Sequence, residues 1–167
     1  MLRDFIFPVT LMFLMESNTE ERKEEMTLDE QAWTELQQRL GYSDEDLAKF
    51  KANPRNARVL SKAAYLTSKT IVAEVVHSHG CNSRHKVGDK IYLDGSGNLI
   101  SKLCPGRMCI YAVASLRPAV LAVNELVFAG VDPNEMAFNR VGCSDVGVEC
   151  GGWGRIVMEV RVEDRTK

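Results

Sequence analysis

An α+β fold is the class this sequence predicts: a small antiparallel sheet packed against a kinked helix pair, preceded by an N-terminal helical segment. Three observations carry that expectation. Residues 27 to 66 repeat apolar side chains at helical spacing between capping residues. Residues 70 to 76 are β-branched, and residues 156 to 162 alternate with a period of two. Between these strands, residues 105 to 128 form a long apolar helical pattern interrupted by Pro118.

The chain has 167 residues, 45% of them hydrophobic, which suffices for one buried core. Residues 1 to 26 read as a poorly ordered or accessory N-terminal extension. Its apolar run, Phe5 to Met15, is shorter than the roughly 20 residues a spanning helix needs. Asp4 offsets Arg3, and no small-residue cleavage site follows, so the run does not read as a signal peptide. Residues 16 to 26 are a charged linker.

Each later element has a local cause. Thr27 and Glu30 form a capping box, Leu28, Ala32, Leu36 and Leu40 share one helical face, and Gly41 ends that helix. Ser43 caps a second short helix carrying Leu47 and Phe50. Pro54 starts a third, carrying Ala57, Leu60 and Ala64. These helices make a segment over 27 to 66, and residues 67 to 167 make the α+β core. Thr70 to Val76 is its first strand and Val87 to Leu93 its second. Asp94 to Asn98 is a turn, with Leu99 beginning a return strand. Pro105 starts a helix that breaks at Arg117-Pro118 and ends at Gly130. Asp132-Pro133-Asn134 is a turn. The last strand buries Ile156, Met158, Val160 and Val162 and wets the other face.

Four loops carry the residues able to do chemistry. In His77 to His85, Cys81 and His85 lie four apart, a spacing that suits zinc or iron, or else a polar surface loop with one buried thiol. Cys104, before Pro105, falls at a helix N-cap, where free N–H groups favour thiolate. It then serves as metal ligand or nucleophile, or merely packs beneath the helix. Cys109 reads as core. In Gly142 to Gly147, Cys143 and Asp145 are paired, either as functional groups or as an Asx turn. Glu149 to Gly154 reads as a bulge or wide turn, with Trp153 covering the core and glycines permitting close backbone approach.

Exclusions follow from the same inventory. Twenty-one basic and 23 acidic residues leave a net charge of −2, which argues against a nucleic-acid or anionic-membrane partner. Five cysteines, an odd number without a CxxC pair, suggest reduced thiols in a cytoplasmic protein rather than a disulfide scaffold. No Walker loop, nucleophile elbow or H-E-x-x-H helix is present, so no nucleotide cofactor is expected and any site must be dispersed.

Cys81-Asn82-Ser83-Arg84-His85-Lys86-Val87-Gly88-Asp89 resembles the C-x-x-x-H-K-V-G-D opening of a family of small prokaryotic proteins common in anaerobes, for which no activity is established. Leu103-Cys104-Pro105, the following helix with Ala112 and Pro118, Gly142 to Asp145 and the terminal strand resemble its later motifs. The likeness covers residues 70 to 163. It implies a compact α+β domain and directs attention to Cys81, His85, Cys104, Cys143 and Asp145. The chain departs from that pattern by adding Cys109 and Cys150 and by inserting Val146 to Gly154. These additions leave open whether Cys143 or Cys150 is the third thiol.

The leading expectation is a zinc or iron site formed by Cys81, His85, Cys104 and Cys143, in an accessory protein or small subunit of a metabolic enzyme. Such a subunit would have a protein partner or form a homo-oligomer. The first alternative is an enzyme of lyase or hydrolase type acting on a small molecule, with Asp145 or Cys104 catalytic. The second is an interaction module whose cysteines are structural.

Overall fold

A computed structural model describes residues 30–165, so the N-terminal extension and Thr27 of the first capping box lie outside the described residues. The chain divides into two compact units at Leu60/Ser61. In the first, helix α1 (30–40) closes on Gly41 at φ +67°, with the Tyr42 N–H returning to the Gln37 carbonyl at 3.0 Å. Helix α2 (Asp44–Ala52) starts from Ser43, which exchanges capping-box bonds with Asp46. Helix α3 (Pro54–Ser61) begins on its proline, and the Asn53 side chain accepts the Arg55 N–H at 3.1 Å. Trp33 is buried edge-on against Phe50 at 6.0 Å. Ala64, expected on the third helix, belongs to a separate turn of helix α4 (Ala63–Thr67) in the second unit.

The second unit holds a four-stranded antiparallel sheet: β1 (Lys69–His79), β2 (Lys90–Asp94), β3 (Arg140–Gly142) and β4 (Arg155–Asp164), in the order β2-β1-β4-β3. Together with its helices this is an α+β fold. Alternation in β4 sets the faces. Ile156, Met158 and Val160 are buried with Ile71, Ala73 and Val75 of β1 and Ile91 and Leu93 of β2. Helices α5 (Ile110–Ser115) and α6 (Arg117–Ala129) cover that face through Ala112, Leu116, Ala119 and Val123. The break at Leu116 places Pro118 in the first turn of α6, where its missing N–H has no partner to lose. Residues Ile110–Ala129 are long and apolar enough by composition to cross a membrane; here they are broken and pack one stripe on the sheet. Gly130 closes α6 at φ +77°. The opposite sheet face carries cross-strand charges, Lys90 and Arg161 both meeting Glu74, and Arg140 meeting Glu159.

Three elements differ from the sequence expectation. β2 starts at Lys90 rather than Val87, because Lys86 to Asp89 form a turn in which the Asp89 carboxylate accepts the Lys86 N–H at 3.0 Å. The return strand at Leu99 is a single bridge to Leu93, followed by a 3-10 turn over Ser101–Leu103. No helix starts at Pro105. Pro105-Gly106 makes a turn instead, as that dipeptide does elsewhere, and the helix begins at Ile110 with Cys109 as N-cap. Cys104 is held instead on the outer edge of β2. Its sulfur accepts the Tyr92 N–H at 3.3 Å and donates to the Tyr92 carbonyl at 3.5 Å.

Candidate functional site

A β-bulge in β1 orients the first wall of the site. β1 and β4 pair in register up to Val75↔Met158. Val76 is then skipped, and His77 pairs with Val157. One extra residue exchanges the faces that later side chains occupy. Ser78, now opposite the core residue Ile156, donates its hydroxyl to the His85 carbonyl at 2.6 Å. His77 and His79 are exposed.

The loop after β1 is tied at both ends. Arg84 donates its N–H to the Cys81 carbonyl at 2.9 Å and sits at φ +63°, left-handed for a residue with a side chain. That conformation costs about 1–2 kcal/mol. Glycine would relieve the cost while adding freedom to the unfolded chain worth roughly half of it. Arg84→Gly is therefore expected to stabilise the protein by about 0.5–1 kcal/mol, measured as a raised urea midpoint. A lowered midpoint would show that the arginine side chain contributes more than the strain costs.

His85 follows, with its side chain 2% exposed and Nδ1 3.8 Å from an Asp89 carboxylate oxygen. Its Nε2 is buried without any hydrogen-bond partner. Leaving such a group unpaired costs about 1–3 kcal/mol, so its placement is not explained by stability.

The second wall is the start of α5. Burial raises the pKa of the Cys109 thiol, as does the charge of Asp145. Hydrogen bonds from the Ser83 hydroxyl and from the N–H groups of Tyr111 and Ala112 outweigh both and bring it below the ordinary thiol value. The lowered thiol pKa expected at Cys104 falls instead at Cys109, the cysteine the sequence assigned to the core, which packs partly buried against the core cluster and also lines the cavity.

The third wall continues the β3–β4 ladder. Cys143 donates its N–H to the Ile156 carbonyl at 3.0 Å, and its sulfur accepts the Ile156 N–H at 3.3 Å. Next to it, the Ser144 N–H reaches the Tyr111 carbonyl at 3.3 Å, tying this wall to α5. The Asp145 carboxylate accepts N–H groups from Gly147 at 3.0 Å, Trp153 at 3.1 Å and Gly154 at 3.3 Å. The Gly147 bond, aided by Gly154 and Trp153, holds its pKa below the usual carboxylate value against the opposing effect of burial. Asp145 is thus an anion held in a nest of backbone donors, which is the Asx-turn alternative.

Two glycines of the fourth loop are there for close approach. A Cβ on Gly152 would overlap an Asp145 oxygen, and one on Gly154 would overlap the Gly80 carbonyl. Trp153, expected to cover the core, is 75% exposed and stands with Tyr111 at the mouth of a cavity of about 580 Å³.

That cavity gathers Cys81, His85, Cys109, Cys143 and Asp145, with no lysine or arginine among its lining residues. The structure brings together three of the four expected metal ligands, Cys81, His85 and Cys143. It leaves Cys104 on the β2 edge and Cys150 exposed. Among the described residues, no three His, Cys, Asp or Glu side chains converge closely enough to hold a metal ion. The closed zinc or iron shell of Cys81, His85, Cys104 and Cys143 is therefore not assembled. The residue missed was Cys109. The Pro-Gly dipeptide at 105–106 was the signal that could have moved the helix start, and with it the N-cap, to this position.

The fold and site together define an α+β domain with a thiol-lined cavity. Compared with family models, curated proteins and solved structures, the chain matches none of them.

Proposed function

We propose that the protein is a thiol-dependent enzyme acting on a small neutral electrophile, with Cys109 as nucleophile and His85 as the acid–base group. The observation that carries this reading is the buried, unpaired Nε2 of His85, a residue that lines the same cavity as Cys109. Nδ1 lies 3.8 Å from an Asp89 carboxylate oxygen, and Nε2 is the ring nitrogen assigned to the proton transfer. A thiolate attacks a carbonyl carbon, and the protonated imidazole supplies the leaving group with its proton, as hydrolase or lyase chemistry requires. Asp145 is a positioning residue, since its oxygens are committed to the loop. Its charge, with no cation in the lining, disfavours anionic substrates. The metal reading has less support, because the donor set lacks Cys104 and is not convergent.

Alkylation with iodoacetamide, mapped by mass spectrometry, tests the assignment. The reactive form is the thiolate, so the rate rises as pH climbs through the pKa. A lowered pKa moves that rise to lower pH. Cys109 is expected to be labelled first and to reach its plateau at lower pH than exposed Cys150. His85→Leu is expected to stabilise the fold by about 1 kcal/mol, because it removes an unpaired buried nitrogen. It should also slow Cys109-dependent cleavage of a neutral activated ester on the order of 10²-fold. Labelling of Cys109 no faster than Cys150 at every pH would sink the proposal.

A further inference from the structure

We propose that Cys109 and Cys143 form a redox-active pair that reduces organic hydroperoxides, with Cys109 attacking the peroxide and Cys143 resolving the product. This rests on Cys109 being the nucleophile of the cavity and goes beyond carbonyl chemistry by adding a second class of neutral electrophile.

Of the five cysteines, Cys81, Cys109 and Cys143 line one cavity, while Cys104 and Cys150 do not. The stretch carrying Cys109 is tied to the Cys143 loop: the Tyr111 carbonyl, two residues on, accepts the Ser144 N–H next to Cys143. Cys143 is held at the cavity by its sulfur, which accepts the Ile156 N–H at 3.3 Å and donates to the Asp145 carbonyl at 3.8 Å. Cys81 is held through its carbonyl instead. Residues 104–109 have no regular structure, which lets the Cys109 backbone adjust to disulfide geometry. The absence of lysine and arginine from the lining fits a neutral oxidant. Trp153 and Tyr111, exposed at the mouth, fit one with an apolar group.

The chemistry balances. The Cys109 thiolate attacks the distal oxygen of R–O–O–H. An S–O bond forms, the O–O bond breaks, and the alkoxide leaves as ROH with a proton from His85. The Cys143 thiolate then attacks the resulting sulfenic sulfur. An S–S bond forms, and hydroxide leaves as water with the proton that Cys143 released. The peroxide gains two electrons and the thiol pair loses two; a small external dithiol returns them by exchange.

The test treats the full reduced chain with one equivalent of cumene hydroperoxide, blocks free thiols and maps the peptides. A Cys109–Cys143 disulfide with one cumyl alcohol per chain is expected. C143S should instead leave Cys109 as a sulfenic acid that dimedone traps. C109S should slow peroxide consumption at least tenfold. A Cys109–Cys81 bond overturns the pairing, as does the absence of any disulfide. If Cys109 still alkylates selectively in that case, only the redox pair fails; if that selectivity is lost too, the nucleophile assignment fails with it.

Discussion

Gly154→Ala is expected to destabilise the sheet unit by on the order of 3 kcal/mol and to eliminate the selective reactivity of Cys109. The added methyl would overlap the carbonyl of Gly80 and crowd that of His79. Both obstacles are backbone, so neither can rotate aside as a side chain would. The end of β1 must separate from the Gly-Trp loop, which draws the N–H groups of Trp153 and Gly154 away from Asp145. Asp145 then loses the donors that fix the third wall of the cavity. Urea unfolding reads the stability, and the alkylation profile reads the site. Gly106→Ala is the control, because its Cβ would meet nothing within 4 Å and its φ is not left-handed. It should be neutral or slightly stabilising. Equal effects of the two substitutions would show that the close approach at Gly154 does not exist.

Met158→Ala is expected to cost about 3–4 kcal/mol while leaving the pH profile of Cys109 alkylation where it was. Met158 is fully buried at the centre of β4, opposite Val75 on one side and Val141 on the other. Removing its thioether leaves a cavity that a sheet flanked on both sides cannot collapse to fill. It does not line the thiol cavity, whereas Ile156, two residues earlier on the same face, does. A loss below about 1 kcal/mol would mean that this face of β4 is not the core. A shifted alkylation profile would mean that core and site are not separable.

Together the two substitutions distinguish what holds the sheet from what shapes the site. The cavity is lined by loops that the strands of the sheet hold in place. The unpaired Nε2 of His85 fits this division: its burial opposes stability, and the site is where such a cost is expected.

Elements whose cause is local were legible in the chain. Alternation over Ile156 to Val162 specified β4, Pro118 specified the helix break, and Ser43, Gly41 and Gly130 specified helix ends, because each acts within a turn or a strand repeat. The sequence also marked Cys81, His85 and Cys143, which do share one cavity. Which further cysteine lines the cavity with them depends on how distant segments pack. Cys104 satisfies the edge of β2 and Cys109 takes the helix N-terminus, because that edge offers an N–H and a carbonyl no local pattern reveals. β3 was equally invisible, having one apolar residue and existing through its pairing with β4. Asp145 reads alike in sequence as a catalytic acid or a turn; the three backbone donors that hold it come together only when the Gly-Trp loop folds back.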